Sequence, residues 1–143
     1  MARIKLVLPG HFSFSTTIPV RITDLNYGGH VGNDAILSLV HEARMQYLKS
    51  LGLSELEFDT ASLIMADAGI EFKSESFYGD VLTVHVTAGE FSRVGFDLFY
   101  KFTKSDGDKE VVVALAKTGM ICFDYSARKV VAVPERAFQR LQG

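Results

Sequence analysis

The residues best suited to chemistry are concentrated in one short segment, Asp24-Leu25-Asn26-Tyr27-Gly28-Gly29-His30-Val31-Gly32-Asn33. Its three glycines permit close backbone approach and positive φ. A helical pattern begins directly behind it, so the segment presents free N–H groups and the positive end of a helix dipole. That arrangement suits an oxyanion developing on a polarised carbonyl. A plain strand-to-helix turn needs the same glycines, and composition alone leaves both readings open.

Within and beyond the segment, three side chains are candidate proton acceptors. His30 carries an imidazole, the side chain whose unperturbed titration lies closest to neutrality and which suits a general base. Its structural alternative is an imidazole bonded to the glycine-rich turn. Asp24 precedes Asn26 by two residues, so in an extended chain both face the same way, about 7 Å apart along the strand. Its structural alternative is a turn cap. Glu42 falls away from the apolar stripe of the helix, beside Ser38, Met45 and Lys49, and Gln46 is an ordinary partner four residues on. Asn26 can donate and accept hydrogen bonds but cannot take a proton at neutral pH.

The elements that must hold these groups follow from hydropathy period. A strand-like stretch rich in Phe, Thr, Ile and Val covers residues 11–23. From 34 to 51 the period is helical, with Ile36, Leu39, Val40, Ala43, Tyr47 and Leu51 on one side and Leu37 and Leu48 widening the stripe. Asn33 is the expected N-cap and Gly52 the stop. Strands are expected over 63–76, 81–91, 96–104 and 110–125, joined by short turns, and a short helix over 134–141 with Pro134 at its first position. Short connections imply antiparallel neighbours. The fold class is therefore α+β, a five-stranded antiparallel sheet wrapped around one long central helix. One helix cannot cover every face and edge of that sheet, so a symmetric dimer is expected.

Several function classes are excluded. The chain of 143 residues fits one domain spanning 1–143, and 48% hydrophobic with 22% charged residues is ordinary for a soluble fold. A net charge of −2 gives no pull toward nucleic acid or anionic membrane. The longest apolar run, 111–116, is too short to cross a bilayer, and no signal peptide is read, so a cytoplasmic location is expected. His11, His41 and His85 lack metal-ligand spacing, Cys122 reads as an inert core thiol, and no metal or cofactor is expected. No Gly-x-Ser-x-Gly elbow is present. Phe96, Phe99, Tyr100 and Phe102 read as core or as the lining of an apolar tunnel. Arg93, Lys101, Arg128 and Lys129 read as scattered surface cations or as contacts to phosphate groups.

The motif Asp-x-Asn-x-x-Gly-His-Val-x-Asn at 24–33, followed by His41-Glu42-Ala43-Arg44, resembles the hotdog-fold thioesterases, particularly the 4-hydroxybenzoyl-CoA and YbgC-like acyl-CoA thioesterases. Tyr78-Gly79-Asp80 and the closing strand from Gly119 to Asp124 are similar to the same family. The resemblance implies a hotdog fold, a homodimer or dimer of dimers with continuous sheets, and sites at the dimer interface. It further implies hydrolysis of an acyl-CoA or acyl carrier protein thioester. Gly29, Val31 and Asn33 would then contact the thioester, with amides around Gly29 to Val31 receiving the carbonyl oxygen. The family's catalytic aspartate falls at Asn26, which moves the proton acceptor to His30, Glu42 or Asp24. The same loss supports the alternative of a non-catalytic acyl-CoA or acyl-carrier binder. A hydratase on this fold is less well supported, because its Asp/His pair is spaced differently.

Overall fold

The computed structural model describes residues 1–143. Its elements are β1 (Phe14–Pro19), α1 (Asn33–Ser50), β2 (Ser62–Phe72), β3 (Val81–Gly89), β4 (Gly95–Asp106), β5 (Lys109–Asp124), β6 (Lys129–Val130) and α2 (Glu135–Gln142). All strand pairs are antiparallel, in the order β1-β3-β4-β5-β2, with β6 paired to β5. The expected five strands are thus joined by a sixth of two residues. It occupies the edge of β5 at Phe123 and Asp124, beyond the point where β4 ends opposite Ile121.

Helix α1 lies on one face of the sheet. Ile36, Leu39, Val40, Ala43, Tyr47 and Leu48 are buried there together with inward residues of β3, β4 and β5. Each such side chain contributes about 1.5–3 kcal/mol of burial. Leu37, assigned to the stripe by period, is 40% exposed. The helix ends in a Schellman turn: Gly52, at φ +72°, donates to Lys49, and Leu53 donates to Leu48. Arg140 of α2 adds a 3.0 Å bond to the Leu51 carbonyl.

Four boundaries differ from the hydropathy reading. The first strand covers only Phe14–Pro19, not 11–23, and residues Ile22–Asp24 form a 3-10 turn. That turn is held by Asp24, whose Oδ2 accepts the Arg21 amide at 2.8 Å. β2 stops at Phe72 rather than Ser76, because the chain there bends toward the start of α1 and the Ser76 carbonyl takes the Val31 amide. The N-cap of α1 is Gly32 rather than Asn33, which is already helical. A Cβ on Gly32 would stand 2.7 Å from Asp34 Oδ1, so a larger residue there would turn the exposed Asp34 side chain away. Pro134 is likewise the N-cap of α2 and not its first residue, its carbonyl accepting the Phe138 amide at 2.9 Å.

Phe96, Phe99, Tyr100 and Phe102 are all core residues. Cys122 is buried, and burial pushes its thiol up to about 11, which keeps it protonated and unreactive. No helix is long and apolar enough to cross a membrane.

Candidate active site

The turn between β1 and α1 is closed by its own backbone. Leu25 and Val31 form an isolated antiparallel bridge, and the Asn26 amide donates to the His30 carbonyl at 2.8 Å. Inside this loop Asn26 Oδ1 accepts the Gly28 amide at 2.8 Å, which leaves the Asn26 Nδ2 group free to donate. Gly29 takes φ +83°, the left-handed conformation that glycine adopts without strain.

His30 follows at the rim. Its Nδ1 lies 3.2 Å from the Val31 carbonyl oxygen, so the neutral ring carries its proton there and turns the Nε2 lone pair outward. Nε2 stands 3.9 Å from Glu75 Oε1. A Cβ on Gly28 would meet Asn26 Oδ1 at 3.2 Å and His30 Nε2 at 3.5 Å. The missing side chain at Gly28 is what leaves a space shared by these two polar groups.

Beside this space opens a cleft of about 360 Å³ between the start of α1 and the segment after β2. From the motif it is lined by His30, Val31 and Asn33, with Ile36 one turn further along α1; the opposite wall is Phe72 to Ser76, with Val113. Sequence reasoning assigned no function to that wall. Its signal was the polar run Lys73-Ser74-Glu75-Ser76 between two aromatics, where an edge strand should continue to alternate.

Of the three expected carbonyl donors, the His30 amide has no backbone acceptor, whereas the other two are engaged elsewhere. The Gly29 amide already donates to the Asn26 carbonyl at 3.1 Å and the Val31 amide to the Ser76 carbonyl at 2.8 Å. Closing the turn consumes both. The first helical amides, those of Asn33, Asp34 and Ala35, have no acceptor, as the geometry of a helix start dictates.

The other candidates lie apart from the cleft. Asp24 is 4% exposed and caps its own turn, with Arg21 Nη2 at 3.1 Å from Oδ1. Glu42 is exposed two turns along α1, where Gln46 donates to it at 2.8 Å. Its neighbour Arg44 is buried, with Nε 2.6 Å from Glu55 and Nη1 3.4 Å from the Tyr100 hydroxyl. Arg93, Lys101, Arg128 and Lys129 do not reach the cleft, whereas Lys73 lines it.

Residues 20–141 match the thioesterase-like superfamily. The chain belongs to that family. It is 28% identical over 133 residues to a 1,4-dihydroxy-2-naphthoyl-CoA hydrolase of Nostoc punctiforme, covering 91% of this chain and 87% of the relative. It is 30% identical over 119 residues to the hydrolase of the same name from Microcystis aeruginosa, covering 81% and 83%. A 4-hydroxybenzoyl-CoA thioesterase, crystallised as an aspartate-to-asparagine mutant with 4-hydroxybenzoyl-CoA, shares the fold at TM-score 0.80. That superposition covers 90% of this chain and 97% of the thioesterase at 17% identity. The hotdog architecture expected from the motif is therefore the fold of this thioesterase-superfamily chain.

Proposed function

We propose that the chain hydrolyses the thioester of an acyl-coenzyme A, releasing the free acid and the thiol, with the cleft beside His30 as the acyl site. The observation that carries this reading is the space at Gly28, where His30 Nε2 and Asn26 face one another at the mouth of a cleft that starts at a helix N-terminus. The names of the two hydrolases favour an aromatic acyl group.

In the proposed mechanism, water attacks the thioester carbonyl carbon while His30 Nε2 takes its proton. The carbonyl oxygen becomes an oxyanion and is received by the free amides of Asn33 and Asp34. Asn26 Nδ2 orients the water or the carbonyl. Collapse of the tetrahedral adduct expels the thiolate, which the His30 imidazolium protonates. Glu75, on the same side as Nε2, steadies that imidazolium. Oxyanion donors of this kind contribute about 10²–10³ in rate and general base catalysis about 10²–10⁴. Asp24 serves by holding the turn. Glu42 reaches a site only if the partner subunit's site lies against this side of α1.

A homodimer is part of the proposal. β2 is an edge strand whose Met65 and Phe72 are 45% and 49% exposed, and Leu37 and Met45 are exposed on α1. A second copy continuing the sheet from β2 would cover an otherwise unpaired apolar edge. The chain is assigned to the cytoplasm.

The test is thiol release from a panel of aliphatic and aromatic acyl-CoA thioesters, with His30→Ala as control. Saturable release lost in the variant supports the hydrolase. Binding without release on every member would favour the acyl-CoA binder to which the absent carboxylate at Asn26 points, and silence throughout would turn the search to acyl carrier protein.

A further inference from the structure

Residues 1–12 precede β1 and make no backbone–backbone hydrogen bond. One polar contact ties them down: the Leu6 amide donates to Glu71 Oε2 at 2.7 Å. Beside it, Ile4 and Leu6 lie over Gly69, 3.9 and 3.6 Å from where a Cβ would stand. The segment comes before residue 20, where the likeness to the thioesterase-like superfamily begins, so that likeness assigns it no role.

Between this segment and the end of β2 is a second cavity of about 350 Å³. Residues 1–4 form one side of it and Ile70 to Lys73 the other. Phe72 and Lys73 also wall the cleft beside His30, so the two spaces adjoin. The charged lining is Arg3, Glu71 and Lys73, two cations against one carboxylate. That carboxylate is already engaged, with Oε2 on the Leu6 amide and Oε1 3.3 Å from Lys73 Nζ. The Leu6 amide, Lys73 and the nearby charge of Arg3 together hold Glu71 below the usual carboxylate range. Arg3 itself is exposed and takes part in none of the salt bridges, which leaves its guanidinium free for an anion.

We infer that Arg3, with Lys73 beside it, binds a phosphate of the substrate's carrier, and that the segment before β1 serves to bring Arg3 to the cleft. This rests on the thioester-hydrolase reading of the cleft. Coenzyme A and a carrier protein present the same arm, a pantetheine chain ending in a 4′-phosphate. From sulfur to phosphate that chain is about as long as four residues of extended backbone. The cleft wall from Ser76 back to Phe72 spans the same number of steps. Ser76 is tied to the Val31 amide at the catalytic turn. An arm laid along this wall therefore leads from the turn to the two cations, which meet the phosphate with charge-assisted bonds.

Non-hydrolysable thioethers separate carrier recognition from hydrolysis. The probes are S-phenacyl derivatives of pantetheine, 4′-phosphopantetheine and coenzyme A, titrated calorimetrically into wild type, Arg3→Gln and Arg3→Glu. Wild type is expected to bind at least one phosphorylated probe about tenfold more tightly than the pantetheine probe. Arg3→Gln should weaken that probe about three- to fivefold, the worth of an exposed ion pair. Arg3→Glu should weaken it about tenfold, because attraction becomes repulsion. Both variants should bind the pantetheine probe as wild type does. A loss already present with 4′-phosphopantetheine assigns Arg3 to the phosphate that both carriers share. A loss confined to the coenzyme A probe assigns it to the nucleotide's phosphates, and either result supports the site. Equal binding of all three probes, or a phosphate preference untouched by both variants, overturns the site while leaving the thioesterase reading intact. If wild type binds no probe, both readings fall.

Discussion

His30 and Val31 are adjacent in sequence, and the Val31 carbonyl oxygen lies 3.2 Å from His30 Nδ1. The bond fixes the tautomer of a neutral ring and directs Nε2 toward the cleft. A carbonyl cannot take the proton, so Nε2 is the basic nitrogen. His30→Ala should lower kcat by about 10²-fold or more while KM changes little. Steady-state kinetics on the best substrate of the panel reads this directly. Unchanged kcat removes His30 from the mechanism.

Asn26 poses the sharper question, because the resemblance to the family puts a carboxylate at that position. Its Oδ1 is already engaged by the Gly28 amide, so an aspartate would keep the turn but replace the Nδ2 donor with an anion. That anion would face the forming oxyanion rather than hydrogen-bond it. Asn26→Asp is therefore expected to melt within about 1 kcal/mol of wild type and to lose about tenfold in kcat. A rise in kcat would mean that an introduced carboxylate is a better base than His30.

The helix and its surroundings were legible because their causes are local. Ile36, Leu39, Val40, Ala43 and Tyr47 fall on one stripe, and Gly52 is placed where a Schellman turn needs positive φ. The Asn26–Asn33 motif pointed to the turn beside the cleft for the same reason. What was hidden depends on contacts distant in sequence. Nothing near Ser76 indicates that its backbone will meet Val31, 45 positions earlier, or that its hydroxyl will be left over. The first strand was read too long because Ile22 and Thr23 favour extended chain. The Asp24 carboxylate, bonding back to the Arg21 amide, overrides that preference.

The family-like His-Glu-Ala-Arg run contains a residue of structural weight. Arg44 is 6% exposed and joins Glu55, Tyr100 and, through the Tyr100 hydroxyl at 2.8 Å, Thr118. Removing the guanidinium leaves Glu55 and Tyr100 without their shared donor. Arg44→Ala should cost about 1.5–3 kcal/mol in urea unfolding, as expected for losing a charged hydrogen bond to the half-buried Glu55. A loss below about 1 kcal/mol would show that water replaces the guanidinium freely.

The wall of the cleft is anchored from behind by Asp80. Burial alone would raise its carboxyl, but the Phe77 amide at 2.9 Å and Lys104 at 3.1 Å outweigh that and hold it below the usual range. Lys104 also donates to the Glu75 carbonyl at 2.7 Å, so the same ammonium clamps the segment carrying Glu75 and Ser76. A depressed folded value means that the unfolded chain binds the proton more readily. The contribution is therefore complete above the unfolded value of about 3.9 and is lost as pH falls through the lower folded value. Asp80→Asn should cost about 1 kcal/mol at pH 7, with the difference from wild type vanishing in acid, as urea titrations at several pH values would measure. It should also raise KM more than it lowers kcat, because the loosened wall binds the acyl group while the turn at His30 keeps its own closing bond from the Asn26 amide to the His30 carbonyl. A stability difference that stays constant however far the pH is lowered would assign the effect to lost packing instead of charge.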